Sequence, residues 1–140
     1  MSGSASALHQ VLERARSVGF LGPGPVDDHI DHAERFLAAL PVGPTPVRFA
    51  DIGSGGGVPG LALLVADPTL SAALIDSAQR RCSFLLWAVA ELGLGDRAEV
   101  WCGRVEELGH EERARERFDA VVARGFGPPA TTLELSLIHI

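Results

Sequence analysis

The stretch DIGSGGGVPG, residues 51–60, decides the fold of this chain. It joins a short apolar segment, residues 47–52, to a second one, residues 58–66. The second segment is predicted to be a helix, because Pro59 suits the first turn of one. Glycines let the backbone turn tightly and let a ligand approach the main chain without a Cβ in the way. A helix start adds free N–H groups and the positive end of a dipole, which suit a carboxylate or a phosphate. The stretch therefore predicts a ligand-binding turn between a strand and a helix.

Outward from this turn, the apolar residues alternate between strand and helix patterns. Two predicted helices, residues 6–18 and 25–40, come first and are followed by the stiff linker PVGPTP, residues 41–46. The predicted strands cover residues 47–52, 70–75, 98–102 and 118–123, and the helices between them cover residues 58–66, 77–92 and 105–117. Strands separated by helices imply right-handed crossovers and a parallel sheet. We therefore predict an α/β fold, a Rossmann-like parallel sheet of four strands preceded by two N-terminal helices.

The glycines of the loop fit more than one ligand. The spacing Gly55-x-Gly57-x-x-Gly60 matches the dinucleotide fingerprint, and Asp76 follows at about the expected 20 residues. In that alignment the glycines begin several residues beyond the strand, and Asp51 stands at the strand end without a role. A purely structural turn is a further alternative, which so many glycines in this context disfavour.

The same loop also has the spacing Asp51-x-Gly53-x-Gly55-x-Gly57, which resembles the first motif of S-adenosylmethionine-dependent methyltransferases. In that motif an acid at the strand end faces a cationic ligand, and the glycines pass under the amino-acid part of the ligand. A carboxylate repels a pyrophosphate, so Asp51 favours a ligand with a positive charge. We therefore expect S-adenosylmethionine and keep a nicotinamide dinucleotide as the alternative.

Asp76 directly follows the second predicted strand. A carboxylate at this position can accept hydrogen bonds from the two ribose hydroxyls of a nucleoside. The alternative role is an N-terminal cap for the next helix. Because both candidate cofactors contain a ribose, Asp76 does not separate them.

The composition is that of one soluble globular domain. The chain has 140 residues, of which 46% are hydrophobic and 21% charged. A net charge of −6 disfavours a nucleic-acid partner on average, although a local basic patch can bind RNA on an acidic protein. The longest apolar stretch, residues 61–66, is too short to cross a bilayer, and no signal peptide is visible. We expect a cytoplasmic protein without a membrane partner.

Neither the cysteines nor the histidines predict a redox or metal centre. Cys82 and Cys102 make no disulfide framework, and we expect two reduced, buried thiols. His29 and His32 lie three residues apart on a predicted helix, where a polar helix face is favoured over a zinc site. We therefore expect no metal.

Further motifs narrow the resemblance to one family. The loop, residues 51–60, and the segments that follow it resemble the ribosomal RNA small-subunit methyltransferase G family, also called glucose-inhibited division protein B. The segments that carry the resemblance are LIDS at 74–77, RR at 80–81, FL at 84–85, GRVEE at 103–107 and FDAVVARGF at 118–126. The resemblance covers residues 47 to about 130. Its most specific parts are Val-Pro-Gly at 58–60 and Arg-Val-Glu-Glu at 104–107, because generic methyltransferases lack both together.

This resemblance implies a class I methyltransferase that uses S-adenosylmethionine to methylate N7 of a guanine in small-subunit (16S) rRNA. By position, it implies that Val105 and Glu106 lie beside the adenine and that Arg124 lies near the reacting end of the cofactor. The complete set of cofactor-binding residues so implied is Asp51, Gly53, Gly55, Val58, Asp76, Val105, Glu106 and Arg124. Without the family, Glu106 would be a solvated charge in the first turn of a helix and Arg124 a surface cation.

The implied chemistry needs no general acid or base. Guanine N7 carries a free lone pair and the sulfonium is a strong electrophile, so catalysis is alignment in a dry site. Arg124 is a candidate for orienting the guanine through its O6. A nucleotide-linked oxidoreductase and a non-catalytic Rossmann-like fragment that binds a nucleoside remain as alternatives.

The two ends of the chain depart from the family pattern. Residues 1–40 contain neither the tryptophan nor the asparagines of the family's N-terminal motifs, and residues 135–140 do not resemble the family. We expect an N-terminal helical segment and linker at 1–46, an incomplete S-adenosylmethionine-binding domain at 47–134 and an atypical tail at 135–140. On this interpretation the chain is C-terminally truncated; the sequence does not give its oligomeric state, for which we expect a monomer. Its fourth strand is then an exposed, aggregation-prone edge, and the chain is poorly soluble and inactive on rRNA.

Overall fold

The computed structural model describes residues 3–41, 43–108, 118–123 and 134–136 of the chain. Five helices and five strands lie in these ranges. The helices are α1 (Gly3–Ser17), α2 (Val26–Ala39), α3 (Gly60–Ala66), α4 (Gln79–Glu91) and α5 (Val105–Leu108). The strands are β1 (Arg48–Ile52), β2 (Ser71–Asp76), β3 (Ala98–Cys102), β4 (Ala120–Ala123) and β5 (Glu134–Ser136).

The strands form one sheet in the order β3-β2-β1-β4-β5. The first four strands are parallel to their neighbours, with β1 between β2 and β4. This arrangement confirms the predicted α/β fold, in which a four-stranded parallel sheet follows two N-terminal helices. The predicted helix at 105–117 is described only over α5, and its remainder lies outside the described residues.

The expectation that β4 forms an exposed edge is wrong. The short strand β5 pairs antiparallel with β4, and Ala123 lies opposite Glu134 while Val121 lies opposite Ser136. Pairing satisfies backbone N–H and C=O groups that an edge strand leaves open. The sequence gives little sign of β5, because a three-residue strand has too short an alternation to detect.

The two faces of the sheet bury separate apolar clusters, because successive strand side chains point to opposite sides. On one face, Phe49, Leu74 and Val122 pack in a cluster that includes residues of α1, α2, α3 and α4. On the other face, Ile75 and Trp101 pack in a cluster that includes the α5 residue Leu108 and Phe118. The N-terminal helices therefore share the main core with the sheet and are held next to the glycine loop.

Two expectations about single side chains are wrong. His29 does not lie on a polar face; it is 6% exposed, and its Nε2 lies 3.1 Å from the carbonyl oxygen of Gly22. Cys82 is buried as expected, but Cys102 is exposed because it ends β3, which is an outer strand of the sheet. Burial and the neighbouring Cys102 thiol raise the pKa of Cys82 to about 12.

The described ranges contain neither a membrane-spanning helix nor a metal-binding cluster. In these ranges no helix is long and apolar enough to span a membrane. No group of three or more His, Cys, Asp or Glu side chains in the same ranges could hold a metal ion.

Candidate functional site

The glycine loop lies between β1 and α3, at the carboxyl ends of the parallel strands. The N–H groups of Gly53 and Ser54 both donate to the carbonyl oxygen of Ile75, at 2.8 and 2.9 Å. These bonds tie the loop to the end of the neighbouring strand β2. In open α/β sheets the ligand crevice lies at this edge, where adjacent strands end.

Asp51 braces this loop from beneath. Its carboxylate is fully buried, and its Oδ2 accepts hydrogen bonds from Ser54 Oγ at 2.8 Å and from the Gly60 N–H at 2.9 Å. Its Oδ1 accepts no hydrogen bond from any residue that the structure describes. Burial raises the pKa of Asp51 to about 7, although both hydrogen bonds act to lower it. Asp51 therefore has a role whichever ligand binds, and the expectation that it would have none beside a dinucleotide is wrong.

Two of the glycines are required by packing. A Cβ at Gly57, where φ is +96°, would lie 2.3 Å from Leu61 Cδ1. A Cβ at Gly60 would lie 2.4 Å from Asp51 Oδ2. Both positions allow the start of α3 to pack closely on the loop and on β1.

Two other glycines line the crevice side of the loop. Gly53 is exposed and has a φ of +70°. Gly55 has a φ of +52°, and a Cβ there would meet nothing closer than 3.6 Å. Both residues have a positive φ, which glycine adopts without strain, and at Gly55 no close neighbour would be met by a side chain.

The segment that follows α1 covers the loop, a contact that the sequence analysis missed. A Cβ at Gly56 would lie 2.5 Å from the carbonyl oxygen of Phe20 and 2.8 Å from Leu21 Cδ2. Gly56 therefore lets the N-terminal segment pack directly against the loop. A glycine in this run could have signalled close backbone approach, but the sequence does not say which segment approaches.

Asp76 links the loop to the start of α4. It is 5% exposed, and its Oδ2 accepts a hydrogen bond from the Gly55 N–H at 2.9 Å. Its Oδ1 accepts from the Ala78 N–H at 2.9 Å and from Arg81 Nε at 3.1 Å. The structure thus brings together Asp76 and Gly55, two of the residues predicted to line the site. The bond to Ala78 supports the turn that starts α4, so this carboxylate has a role at the helix start that needs no ligand.

Arg81 is the site residue that the sequence analysis did not assign. Its guanidinium forms an ion pair with Asp76, and 43% of its side chain is exposed. A ribose that binds Asp76 would have to share the carboxylate with Arg81 or displace it. Arg81 follows Asp76 by five residues and lies in the first turn of α4. The predicted helix at 77–92 could therefore have indicated that the two side chains meet.

The remaining predicted site residues are placed less completely. The side chain of Val58 is buried in the main core, which leaves its main chain as the part that can reach a ligand. Val105 and Glu106 begin α5, next to the end of β3, and the structure describes their backbone only. Arg124 lies outside the described residues. It follows Ala123, which pairs with Ile52 at the end of β1.

The sheet order, the acid at the end of β1 and the glycine loop define a class I methyltransferase fold. A solved structure with this fold is the O-methyltransferase from Bacillus cereus in complex with SAH, which has a TM-score of 0.61 and 15% sequence identity. The match covers 86% of this chain and 54% of that chain. At this identity the likeness shows the fold alone.

The family follows from the sequence comparisons. The profile of the GidB family, rRNA small subunit methyltransferase G, matches residues 32–139. A ribosomal RNA small subunit methyltransferase G from Moorella thermoacetica is 40% identical over 94 residues, which is 67% of this chain and 39% of that protein. The corresponding protein from Roseiflexus castenholzii is 41% identical over 99 residues, covering 71% and 42%. The chain therefore belongs to the rRNA small subunit methyltransferase G family, and it spans less than half the length of these relatives.

Proposed function

We propose that this chain supplies the S-adenosylmethionine-binding part of a methyltransferase that acts on N7 of a guanine in 16S rRNA. The observation that carries the proposal is the family match over residues 32–139, which includes the whole glycine loop and Asp76. The names of its relatives supply the small-subunit rRNA as the partner. From the ribosomal substrate we also infer a cytoplasmic protein, and we propose that it acts on the small ribosomal subunit as a monomer.

The residues present fit a cationic nucleoside ligand. Asp51 Oδ1 is a buried carboxylate oxygen to which no described residue donates, so a nearby positive charge would stabilise its ionised form. Gly53 presents backbone without a side chain on the crevice side. Asp76 would accept the ribose hydroxyls, and Val105 and Glu106 would lie beside the adenine.

The chain's own residues would bind and orient, without a proton transfer. S-adenosylmethionine supplies the electrophilic methyl group when it is bound. The glycine loop and Asp76 would fix the cofactor, and Arg124 would orient the guanine through O6. Because N7 has a free lone pair, the protein's contribution would be alignment and exclusion of water, which are worth several kcal/mol when well arranged.

Methyl transfer to small ribosomal subunits tests this proposal. Since the chain spans less than half of its relatives, it is assayed beside a version extended with a C-terminal region of the family. Subunits from a strain that lacks this modification are incubated with methyl-labelled S-adenosylmethionine, and the rRNA is digested to nucleosides. We expect label in 7-methylguanosine with the extended protein and a loss of label with Asp76→Ala. Unlabelled rRNA, with a full-length relative active in the same assay, would contradict the proposed substrate.

A further inference from the structure

A groove of about 500 Å³ opens between the end of α1 and the N-terminal half of α4. Arg14 and Val18 line it on the α1 side, followed by Phe20 in the connecting segment. On the α4 side the lining residues include Arg80, Phe84 and Trp87. We refer to this feature as the α1–α4 groove.

Aromatic rings form the apolar part of the α1–α4 groove. The rings of Phe20 and Phe84 meet edge to face with centroids 5.7 Å apart, and Phe84 lies 5.7 Å from Trp87 at a 45° tilt. Trp87 is 42% exposed and Val18 is 39% exposed. Phe84 is buried and Phe20 half-buried, so Trp87 and Val18 are the open part of this apolar surface, and large apolar side chains are costly to leave in water.

The charge of the groove is opposite to that of the chain. Arg14 and Arg80 line it, and none of its described lining residues is acidic, whereas the chain as a whole carries −6. The guanidinium carbon of Arg80 lies 5.9 Å from the centroid of the Phe20 ring, which keeps a cation beside the aromatic surface. Arginines beside the exposed ring of Trp87 and the half-buried ring of Phe20 match a ligand that has both phosphates and flat bases.

The groove lies next to the candidate cofactor site. Phe20, in the groove, is also the residue whose carbonyl oxygen packs against the loop at Gly56. Arg80 is followed in the chain by Arg81, which is paired with Asp76 at 3.1 Å. A ligand bound in the groove would therefore lie directly beside the glycine loop.

We propose that the α1–α4 groove docks single-stranded RNA next to the cofactor site. Bases stack on Trp87 and Phe20, and Arg14 and Arg80 contact the flanking phosphates. This inference rests on the proposed function for the identity of the RNA, but the surface itself is defined by the groove residues. It also gives an acidic chain a local surface for a polyanion, since Arg14 and Arg80 line the groove and none of its described lining residues is acidic.

The test measures RNA binding and cofactor binding separately. The probe is a fluorescent single-stranded RNA of about ten nucleotides with mixed sequence, and affinity is read by anisotropy over a range of salt. The variants are Trp87→Ala and the double variant Arg14→Gln/Arg80→Gln. The matched controls are Leu86→Ala, an exposed apolar residue on α4, and Arg35→Gln, an exposed arginine on α2, neither of which lines the groove. Thermal unfolding checks the fold, and titration with S-adenosylhomocysteine checks the cofactor site.

We expect Trp87→Ala to weaken RNA binding by about tenfold or more, because a stacking partner is lost. In the double arginine variant, the slope of log affinity against log salt concentration should be shallower by about one for each phosphate contact removed. The two controls should bind RNA like the unchanged protein, and all variants should keep their affinity for S-adenosylhomocysteine. If the unchanged protein did not bind S-adenosylhomocysteine, the proposed function would be contradicted. The RNA affinities of the variants would still test the groove.

Equal RNA affinity in all variants would overturn the docking surface, as would an unchanged protein that binds S-adenosylhomocysteine but no single-stranded RNA. A sedimentation result in which two copies of the chain associate through Trp87, with no competition from RNA, would overturn it as well. That outcome would identify the groove as a contact between protein copies.

Discussion

At the scale of single residues, the site depends on two carboxylates that the loop uses differently. Asp51 is fully buried and bonded to Ser54 and Gly60, so it holds the loop in place. Asp76 reaches the loop at Gly55 and the start of α4 at Ala78. One carboxylate therefore shapes the loop from within, and the other joins its crevice side to the next strand and helix.

The raised pKa of Asp51 makes the stability of the protein depend on pH. The pKa of this carboxyl rises from 3.8 to about 7 on folding, chiefly because burial disfavours its charged form. The folded state then holds a proton that the unfolded state has lost, so stability falls as the pH rises between these values. We expect this group to lower the free energy of unfolding by about 3 kcal/mol between about pH 5 and about pH 8.

Urea unfolding of Asp51→Asn at both pH values measures this contribution. Asparagine keeps a carbonyl oxygen that can accept from Ser54 and Gly60 but does not titrate in this range. The free energy of unfolding of Asp51→Asn should therefore fall less between the lower and the higher pH than that of the unchanged protein. An identical pH dependence in the two proteins would show that Asp51 does not titrate in this range.

Gly53 offers a test of the loop as a ligand surface. Gly53 and Gly93 have similar φ values, +70° and +66°, so alanine at either position carries a similar backbone strain of about 1–2 kcal/mol. Gly93 follows α4 and lies away from the loop. We expect both Gly53→Ala and Gly93→Ala to lower the melting temperature, and Gly53→Ala alone to weaken binding of S-adenosylhomocysteine in calorimetry. Equal affinities in the two variants would exclude Gly53 from the site.

At the scale of elements, one arginine connects α3, β2 and β3 at the edge of the sheet opposite to the candidate site. Arg97, just before β3, donates to the carbonyl oxygens of Leu64 at 2.9 Å and Leu70 at 2.7 Å. It also donates to the carbonyl oxygen of Asp67 at 3.3 Å. One guanidinium thus joins the end of α3, the turn before β2 and the start of β3.

Removing this guanidinium should loosen the sheet without touching the cofactor site. We expect Arg97→Leu to lower the free energy of unfolding by about 2–3 kcal/mol, because carbonyl groups lose a charged donor. Arg35→Leu, a change of the same kind on an exposed face of α2, should cost well under 1 kcal/mol. Chemical denaturation of both variants measures the two values. A cost as small for Arg97→Leu as for Arg35→Leu would mean that these bonds are replaced by water.

At the scale of the whole molecule, repeating patterns were predictable and single long-range contacts were not. The bounds of β3 and the parallel direction of the first four strands follow from apolar segments and crossover rules that act along the whole chain. His29 was placed wrongly because its burial depends on the carbonyl of Gly22, a contact that helix periodicity does not contain. Cys102 was placed wrongly because it lies at the outer end of an outer strand.

The candidate site shows the same division. The acids and glycines were predictable because strand order brings the ends of β1 and β2 together. Arg81 on Asp76 and Phe20 on Gly56 were not, because both depend on how the helices pack. Asp51 was found for a reason that was incomplete, since the structure gives its carboxylate a role within the loop.

The measurement that tests the central claim most directly is calorimetric titration of the chain with S-adenosylhomocysteine and, side by side, with NAD. We expect saturable binding of S-adenosylhomocysteine, weakened about tenfold to a hundredfold in Asp76→Ala, and no binding of NAD. Because Asp76 also accepts from Ala78 and Arg81, thermal unfolding of the variant must be followed in parallel. A stability loss with unchanged affinity would reduce Asp76 to its role at the start of α4. Tight binding of NAD with no response to S-adenosylhomocysteine would contradict the account.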